Sequence, residues 1–147
     1  MSVENVALPS SPCLCESLRK ASRAVTRMYD DALRPAGLRV TQFSVLARLE
    51  SDGKARVRDL SAALFLEETT LTRSVATLEK NGWVASSIGD DQRERYLSIT
   101  PAGRKVVQRA FPLWKGVQKR IHDRVSTTTW DGLFRSLPKV TSAAAGG

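Results

Sequence analysis

Residues 69–83, TTLTRSVATLEKNGW, decide the fold because they predict a helix with one apolar face and one polar face. Leu71, Val75 and Leu78 recur at spacings of four and three, which places them on the same side of a helix. Asn81-Gly82 predicts the helix end, because glycine readily adopts the left-handed conformation of a C-terminal cap. The other face presents hydroxyl, amide and guanidinium groups that suit an anionic, hydrogen-bonding groove. Its members are Thr70, Arg73, Ser74, Thr77 and Asn81.

The segments on either side of this helix extend it to a larger motif. Residues 54–64 predict a shorter amphipathic helix and residues 65–68 a tight connection, so that residues 54–81 form a helix-turn-helix. From Val84 onward the period changes to two. Residues 84–88 and 96–100 predict two strands around a charged loop, residues 89–95. We therefore expect a β-hairpin beside the helix-turn-helix, in the arrangement called a wing.

Two helices are expected before the helix-turn-helix. The first should run over residues 12–33 after a cap at Ser10 or Ser11, and should end before Gly37. The second should begin at Thr41 as its cap and end in the turn formed by residues 51–53. Residues 1–11 are expected to form a flexible N-terminal arm.

Two further helices are expected after the hairpin. Thr100-Pro101 predicts the start of a long helix, since proline suits the first helical turn, and Pro112 should kink it. Ser126 should cap a last helix, which Pro138 should weaken so that residues 143–147 are loose. The predicted fold class is therefore mainly α with a small β-hairpin wing.

The terminal helices carry apolar stripes that the small middle lobe cannot cover. Such helices commonly bury this surface in a symmetric dimer, and the alternative is packing within one chain. We expect residues 12–36 and 101–143 to form a helical dimerisation region and residues 37–100 to form a DNA-binding lobe. Dimers are also common among proteins that read paired half-sites.

The composition favours a phosphate-rich partner. The chain of 147 residues has 23 Lys and Arg against 15 Asp and Glu, a net charge of +8, and 41% hydrophobic residues allow one folded domain. The sequence has no apolar run of ~18 residues that would span a membrane, and its first residues lack the pattern of a secretory signal. Two cysteines imply no disulfide framework, so we expect a cytoplasmic protein that is not bound to a membrane.

The order of short motifs along the chain resembles the MarR family of winged helix-turn-helix regulators. The motifs are GLRVTQF at 37–43, LS at 60–61, LTR at 71–73, LEKNGWV at 78–84, DQR at 91–93 and LSITPAG at 97–103. The resemblance covers residues 15–137 approximately. It implies a homodimer that binds double-stranded DNA at a palindromic operator. It further implies a transcriptional repressor that a small-molecule inducer or an oxidant releases from DNA.

The resemblance implies that the helix over residues 69–81 enters the major groove. Arg73 either contacts a guanine or a phosphate, or pairs with Asp91 and holds the wing in place. Hydroxyl groups contact phosphates more often than bases. The other candidates on this helix are Thr70, Thr72, Ser74 and Thr77.

The wing supplies the second set of DNA-binding candidates, which are Asp91, Arg93 and Arg95. Arg93 at its tip is expected to insert into the minor groove, where a narrow groove concentrates negative potential. Arg95 should contact the DNA backbone or pair with Glu94 or Asp91. Two further phosphate contacts are expected at the start of the shorter helix, from Arg56 and Arg58.

The first trigger to consider is oxidation of a thiol. Cys13 and Cys15 lie in the first turn of a predicted helix, where backbone amides stabilise a thiolate. The run LCESL at 14–18, together with Tyr29, resembles the organic-peroxide-sensing (OhrR-type) branch of the family, in which a cysteine at the place of Cys15 is oxidised. Tyr29 is then the remaining candidate partner of the thiol, and an inert, buried cysteine is the alternative. The places where that branch has aromatic hydroxyls are here occupied by Arg19, Val40 and Phe43.

A ligand pocket between the terminal helices and the lobe is the second possible trigger. Pockets of the family often take aromatic acids, and Arg19 or Arg23 suits a carboxylate. The candidate lining residues are Arg19, Arg23, Met28, Tyr29, Phe43 and Trp114. The aromatic members are equally well explained as core residues.

Other classes of function find little support in the sequence. An enzyme is not expected, because there is no glycine-rich phosphate loop and His122, the one histidine, lies on a charged helix face. Two cysteines at a spacing of two point about 200° apart on a helix, so neither a metal site nor a cofactor is expected. The remaining alternatives are a sequence-nonspecific architectural DNA-binding protein and a thiol-dependent redox enzyme built on Cys15.

Overall fold

The computed structural model describes residues 12–146, which contain six α-helices, one short 3-10 helix and a three-stranded antiparallel sheet. The predicted fold class, mainly α with a small β wing, is confirmed. The expected arm, residues 1–11, and its caps Ser10 and Ser11 lie outside the described residues. The helices are α1 (Leu14–Leu33), the 3-10 helix (Arg34–Ala36), α2 (Val40–Asp52), α3 (Val57–Ala63), α4 (Glu68–Lys80), α5 (Pro101–Val125) and α6 (Thr127–Ala145). The strands are β1 (Lys54–Arg56), β2 (Val84–Ile88) and β3 (Arg95–Ile99).

A side chain from another helix holds the N-terminus of α2. The helix begins at Val40, so the predicted cap at Thr41 is wrong. The Asp30 carboxylate on α1 accepts the Val40 amide at 2.8 Å, and the Gln42 side chain accepts the Arg39 amide at 3.0 Å. Because Asp30 lies ten residues away in sequence, local capping rules do not detect it. The contact satisfies an amide that the helix itself leaves free and joins α1 to α2.

The sheet has one more strand than the predicted hairpin. The sequence predicts a helix over residues 54–56, but they form β1 and pair antiparallel with β3, with Lys54 opposite Ser98. The sequence does not reveal this strand because three residues are too few to show a period of two. The strand also depends on a partner distant in sequence, since the Lys54 ammonium lies 4.6 Å from the centre of the Tyr96 ring. The β2–β3 hairpin is as predicted, with Val84 opposite Ile99, and β3 is the central strand.

The two C-terminal helices run through their prolines. The Thr100 hydroxyl accepts the Gly103 amide at 3.0 Å, which confirms the predicted start of α5, and the helix continues through Pro112. Similarly, α6 continues through Pro138 to Ala145, so the expectation of a loose end from residue 143 is wrong over residues 143–145. Those three residues are alanines, which have the highest helix propensity of any residue.

One hydrophobic core joins the lobe to the adjoining turns of α1 and α5. Leu46, Leu71 and Leu97, from α2, α4 and β3, are fully buried in it. Leu33 from α1 and Ala110 from α5 belong to the same cluster. The core therefore crosses both boundaries of the expected lobe, residues 37–100, and fixes the lobe against the start of α5.

The terminal helices keep apolar side chains at the surface. Within the described chain, α6 has no buried residue, and Leu133, Phe134 and Leu137 on it are 41–59% exposed. On α1, Leu14 and Val25 are also exposed. No helix of residues 12–146 is both long enough and apolar enough to cross a membrane.

Candidate nucleic-acid interface

The two faces of α4 lie as the sequence predicts. Leu71, Val75 and Leu78 are buried, and α4 packs through this side on α3, α2 and β2. The candidates on the opposite side are exposed except for Ser74, which is half-buried; they are Thr70, Thr72, Arg73, Ser74 and Thr77. The Thr72 hydroxyl donates to the Glu68 carbonyl at 2.7 Å, so it is engaged within its own helix. The α4 surface available to a partner is therefore hydroxyl-rich and cationic.

The hairpin tip presents an unpaired guanidinium. Arg93 is exposed, and its backbone amide donates to the Asp91 carboxylate at 3.2 Å, which shapes the tip. Among residues 12–146 no acidic side chain forms an ion pair with Arg93 or Arg73. Asp91 therefore orders the loop instead of pairing with Arg73, and the expectation that Arg73 pairs with Asp91 is wrong.

Arg95 binds α4 instead of the acids of its own loop. Its guanidinium lies 2.5 Å from the Glu79 carboxylate, so the expected pairing with Glu94 or Asp91 is wrong. The register of β3 directs Arg95 towards α4, which is a tertiary relation that the loop sequence alone does not contain. Glu79 lies away from the polar face of its helix, and this position is what lets it hold the wing.

Arg56, on the edge strand β1, is engaged in a similar way. It ends β1 and lies 2.9 Å from the Glu94 carboxylate, and Tyr96 donates its hydroxyl to the same carboxyl group at 3.0 Å. The neighbouring Glu94 raises the pKa of Arg56 further above its usual range. Arg58, two residues later, is exposed and has no ion pair in the described chain. The positive charge available here is thus that of Arg58.

These elements enclose one cleft on the wing side of α4. Its volume is about 440 Å³, and it lies between the start of α3, the first turns of α4 and the hairpin loop. Its lining residues are Arg56, Val57, Arg58, Glu68, Thr72, Asp91, Arg93, Glu94 and Arg95. All of the residues predicted to contact DNA outside α4 therefore line a single surface, and the free cations Arg58 and Arg93 border it.

The two cysteines are at the surface of α1. Cys13 is the N-terminal cap position of the helix and Cys15 lies in its first turn, and both thiols are exposed and free. Tyr29 lies 14 residues further along the same helix, about 21 Å away at 1.5 Å per residue. Its hydroxyl donates to the Gln118 side chain, and burial raises the pKa of Tyr29. Tyr29 is therefore not a partner of Cys15 within one chain.

The six residues considered for a ligand pocket do not line one cavity. Phe43 is buried in the core and stacks on Trp114, with 5.9 Å between ring centres. Tyr29 is buried and Met28 half-buried on α1. Arg23 lines a large open cleft between α1, α2 and α4, and Arg19 and Arg23 line a smaller one on α1 itself. The aromatic members accordingly occupy core positions, and the arginines face solvent.

His122 has neighbours that account for it structurally. Its ring lies 3.5 Å from the Asp123 carboxylate and 3.2 Å from the Thr127 hydroxyl, and meets the Trp130 ring edge-on. Lys119 and His122 lower the pKa of Asp123. In the part of the chain that the structure describes, no three potential metal ligands come together.

Comparisons with known proteins support a winged helix-turn-helix regulator. The sequence model of the MarR family matches residues 38–94, which span the lobe from the start of α2 to the hairpin loop. The regulator SarZ of Staphylococcus epidermidis is 33% identical over 107 residues, which are 72% of this chain and 71% of SarZ. YwoH of Bacillus subtilis, an uncharacterised HTH-type transcriptional regulator, is 32% identical over 92 residues, 63% of this chain and 67% of YwoH.

Solved structures extend the similarity over the whole described fold. The transcriptional regulator MosR of M. tuberculosis, crystallised in complex with DNA, is 36% identical, with a TM-score of 0.85 and coverage of 92% of this chain and 98% of MosR. A mutant of MarR from E. coli complexed with operator DNA shares the fold, with 20% identity, a TM-score of 0.79 and coverage of 86% and 92%. These relatives are regulators of transcription and not enzymes.

Proposed function

The chain belongs to the MarR family of DNA-binding transcriptional regulators, and from this premise we propose that it acts as a homodimeric repressor of a palindromic operator. The observation that supports the proposal is the single exposed surface formed by the polar face of α4 and the free guanidinium groups of Arg58 and Arg93. The net charge of +8 makes this surface attractive to phosphates. A repressor acts by occupying its operator until a signal lowers its affinity.

Each candidate has a defined task in the proposed complex. With α4 in the major groove, Arg73 contacts a guanine edge, and such a bidentate contact is worth about 1–3 kcal/mol of discrimination. Thr70, Ser74 and Thr77 contact phosphates or base edges from the same face. Arg93 enters the minor groove and Arg58 contacts the backbone. Two residues act indirectly, because their charges are already paired and they hold the wing in place: Arg56 and Arg95.

The second protomer explains the exposed apolar side chains. Leu133, Phe134 and Leu137 on α6 form one patch, and Leu14 and Val25 on α1 add to the uncovered apolar surface. A two-fold dimer through these helices would remove the patch from water and place two copies of α4 at paired half-sites. The proposed dimerisation region, residues 12–36 and 101–143, and the lobe, residues 37–100, follow from this arrangement.

Thiol oxidation at Cys15 is the proposed signal. Both Cys15 and Cys13 are exposed and therefore accessible to an oxidant. An aromatic-acid inducer is the less favoured trigger, because Phe43 is buried against Trp114 and leaves no open aromatic pocket among the six residues considered for one.

The test of the proposed interface is Arg93→Ala, with operator DNA selected from a random duplex library. Removal of the minor-groove guanidinium should weaken operator binding and reduce the salt dependence, since each phosphate contact contributes about 0.9 to the slope of log K against log [salt]. Fluorescence anisotropy at 50–200 mM salt measures both. Wild type should prefer its operator over random duplex by about 10³ or more, which separates a repressor from an architectural protein.

Arg109→Ala is the matched control for Arg93→Ala. Arg109 is an exposed arginine on α5 that lines a different cleft with Trp83, so its removal changes the net charge equally and leaves the wing intact. If the Arg93→Ala and Arg109→Ala proteins have the same operator affinity and the same salt slope, the wing is not part of the DNA interface.

The test of the signal compares wild type with Cys15→Ser, with and without an organic hydroperoxide. Oxidised wild type should lose operator affinity and the variant should keep it. A thiol-dependent redox enzyme would instead consume peroxide repeatedly in the presence of a thiol reductant, which a peroxide assay detects. Equal binding in all four samples would rule out the thiol and direct the search to small aromatic acids.

A further inference from the structure

Helix α1 carries a row of arginines that its own neighbours do not neutralise. Arg19, Arg23 and Arg27 follow one another at spacings of four, so they lie on one face of the helix. Like charges at this spacing destabilise a helix, whereas opposite charges stabilise it. Among the described residues none of the three forms an ion pair. The guanidinium groups of this row are therefore not held by a direct ion pair within the described protomer.

Two of these arginines face a cleft on the side of α4 away from the wing. The cleft has a volume of about 840 Å³ and lies between α1, the 3-10 helix, the N-terminus of α2 and the C-terminal half of α4. Arg23 and Arg27 line it from α1 and Arg39 from the start of α2, while Thr77 and Asn81 line it from α4. The polar face of α4 thus forms a wall of this cleft.

The acids in the cleft are already engaged. The Asp30 carboxylate accepts the Val40 amide at 2.8 Å, and Asp31 pairs with Arg34 at 2.6 Å. Arg39 contributes to the cap of α2 through its backbone, so its guanidinium is not used there. Three guanidinium groups, those of Arg23, Arg27 and Arg39, therefore remain available to an anion.

This cleft and the wing-side cleft lie on opposite sides of α4. Glu68 and Thr72 line the wing-side cleft, and Thr77 and Asn81 line the cleft beside α1. Thr77 is nine residues from Glu68, and Asn81 is nine residues from Thr72, which places each pair half a revolution apart at 3.6 residues per turn. A helix lying in a major groove has one phosphate backbone on each side.

We propose that the cleft lined by Arg23, Arg27 and Arg39 is a second phosphate-binding surface, which holds the DNA backbone on the side of α4 away from the wing. The inference depends on the proposed insertion of α4 into the major groove. Arginine is well suited to phosphate because it donates in a planar fork. A small effector is the less suitable occupant: the cleft is wide open to solvent, whereas small-molecule sites enclose most of their ligand's surface.

The test is the double variant Arg23→Gln/Arg27→Gln, which shortens the side chains only modestly and removes two charges from one helix face. The matched control is Lys105→Gln/Arg109→Gln, which removes two charges at the same spacing from an exposed face of α5. The slope of log K against log [salt] should fall by about 0.9 for every phosphate that the double variant no longer binds, and operator and random duplex should weaken by the same factor. The control pair should leave the slope unchanged.

Phosphate-ethylation interference identifies the backbone that each cleft holds. The Arg23→Gln/Arg27→Gln protein should show no interference on one side of the half-site major groove, and an Arg58→Gln protein none on the other. The inference would be overturned if both proteins lost interference at the same phosphates. It would also be overturned if the double variant had the same slope of log K against log [salt] as wild type. Thermal denaturation should show no decrease in stability in the double variant, because two like-charge pairs, Arg19–Arg23 and Arg23–Arg27, have been removed.

The same protein variants distinguish failure of this inference from failure of the proposed function. If Arg93→Ala reduces the salt slope and the cleft variant does not, the wing interface stands and the second surface is wrong. If wild type itself ignores duplex DNA, the proposed function fails first. A titration with inorganic tripolyphosphate tests for a small anion in the cleft. Suppose that tripolyphosphate stabilises wild type but not the double variant against heat, and that the slope of log K against log [salt] for DNA is the same in both proteins. This result would assign the cleft to a small anion and overturn the DNA proposal.

Discussion

Gly103 shows how a single atom position determines the packing of two elements. It lies in the first turn of α5, and a Cβ there would lie 2.2 Å from the carbonyl oxygen of Trp83 and 2.8 Å from the Ile99 side chain. The Trp83 carbonyl also accepts the Thr100 amide at 3.0 Å. The absence of a side chain at this residue therefore lets the chain leaving α4 approach the start of α5.

We predict that Gly103→Ala lowers the free energy of unfolding by about 1–3 kcal/mol, because the methyl group has no space beside backbone atoms. Urea denaturation measures the change. Gly116→Ala on the same helix is the matched control: nothing lies within 4 Å of its Cβ position, so alanine should raise stability by about 0.5–1 kcal/mol. Equal effects of the two substitutions would show that helix propensity, and not close approach, governs residue 103.

At the scale of elements, α5 is joined to the end of α4 through Thr100. Its hydroxyl accepts the Gly103 amide at 3.0 Å and donates to the Gly82 carbonyl at 2.6 Å. One side chain thus caps α5 and fastens it to the turn after α4. Helix caps of this kind contribute about 0.5–2 kcal/mol.

Thr100→Ala should therefore lower the free energy of unfolding by about 1–2 kcal/mol, since it removes a cap and leaves a carbonyl without its donor. Thr100→Ser keeps the hydroxyl and should retain most of the stability. Both are measured by the urea midpoint at constant denaturant slope. A serine variant as unstable as the alanine variant would assign the effect to the missing methyl group.

Elements whose order depends on neighbours in sequence could be predicted, and elements that depend on distant partners could not. The face of α4 follows from the spacing of Leu71, Val75 and Leu78, and the start of α5 follows from Thr100. The strand β1 and the ion pair of Arg95 with Glu79 exist because the sheet brings separate segments together. The residues of the candidate interface could likewise be named from local patterns. The ion pairs of Arg56 and Arg95 could not, because they join segments that only the tertiary fold brings together.

At the scale of the whole molecule, the protomer leaves apolar surface uncovered at the ends of the chain. Phe134 on α6 is 59% exposed, although its ring lies only 5.0 Å from that of Trp130. Leu133 and Leu137 are beside it in sequence and similarly exposed. A second protomer would complete this part of the interior.

Phe134→Asp should convert the proposed dimer to a monomer, because a carboxylate would then be buried without a partner in the interface. Sedimentation velocity gives the mass, and operator affinity should fall because a monomer engages a single half-site. Ile88→Asp is the control for the sedimentation measurement alone, since Ile88 is 71% exposed and far in sequence from α6, whereas a carboxylate on the wing is itself expected to weaken DNA binding. Two variants with the same sedimentation coefficient as wild type would rule out α6 as the dimer contact.

The pairing of β1 with β3 has a consequence for the operator. Because β1 leads directly into α3, and Arg95 joins β3 to Glu79 on α4, the sheet from which the hairpin tip projects is tied to both helices of the helix-turn-helix. An extra base pair within a half-site lengthens it by about 3.4 Å and rotates one bound segment away from its groove. An insertion at the centre of the palindrome would instead leave each half-site intact. It would change only the distance and the angle between the two protomers of the proposed dimer, which the terminal helices set. If the proposed dimer is correct, its operator should tolerate a change in the spacer between half-sites better than a change in the length of either half.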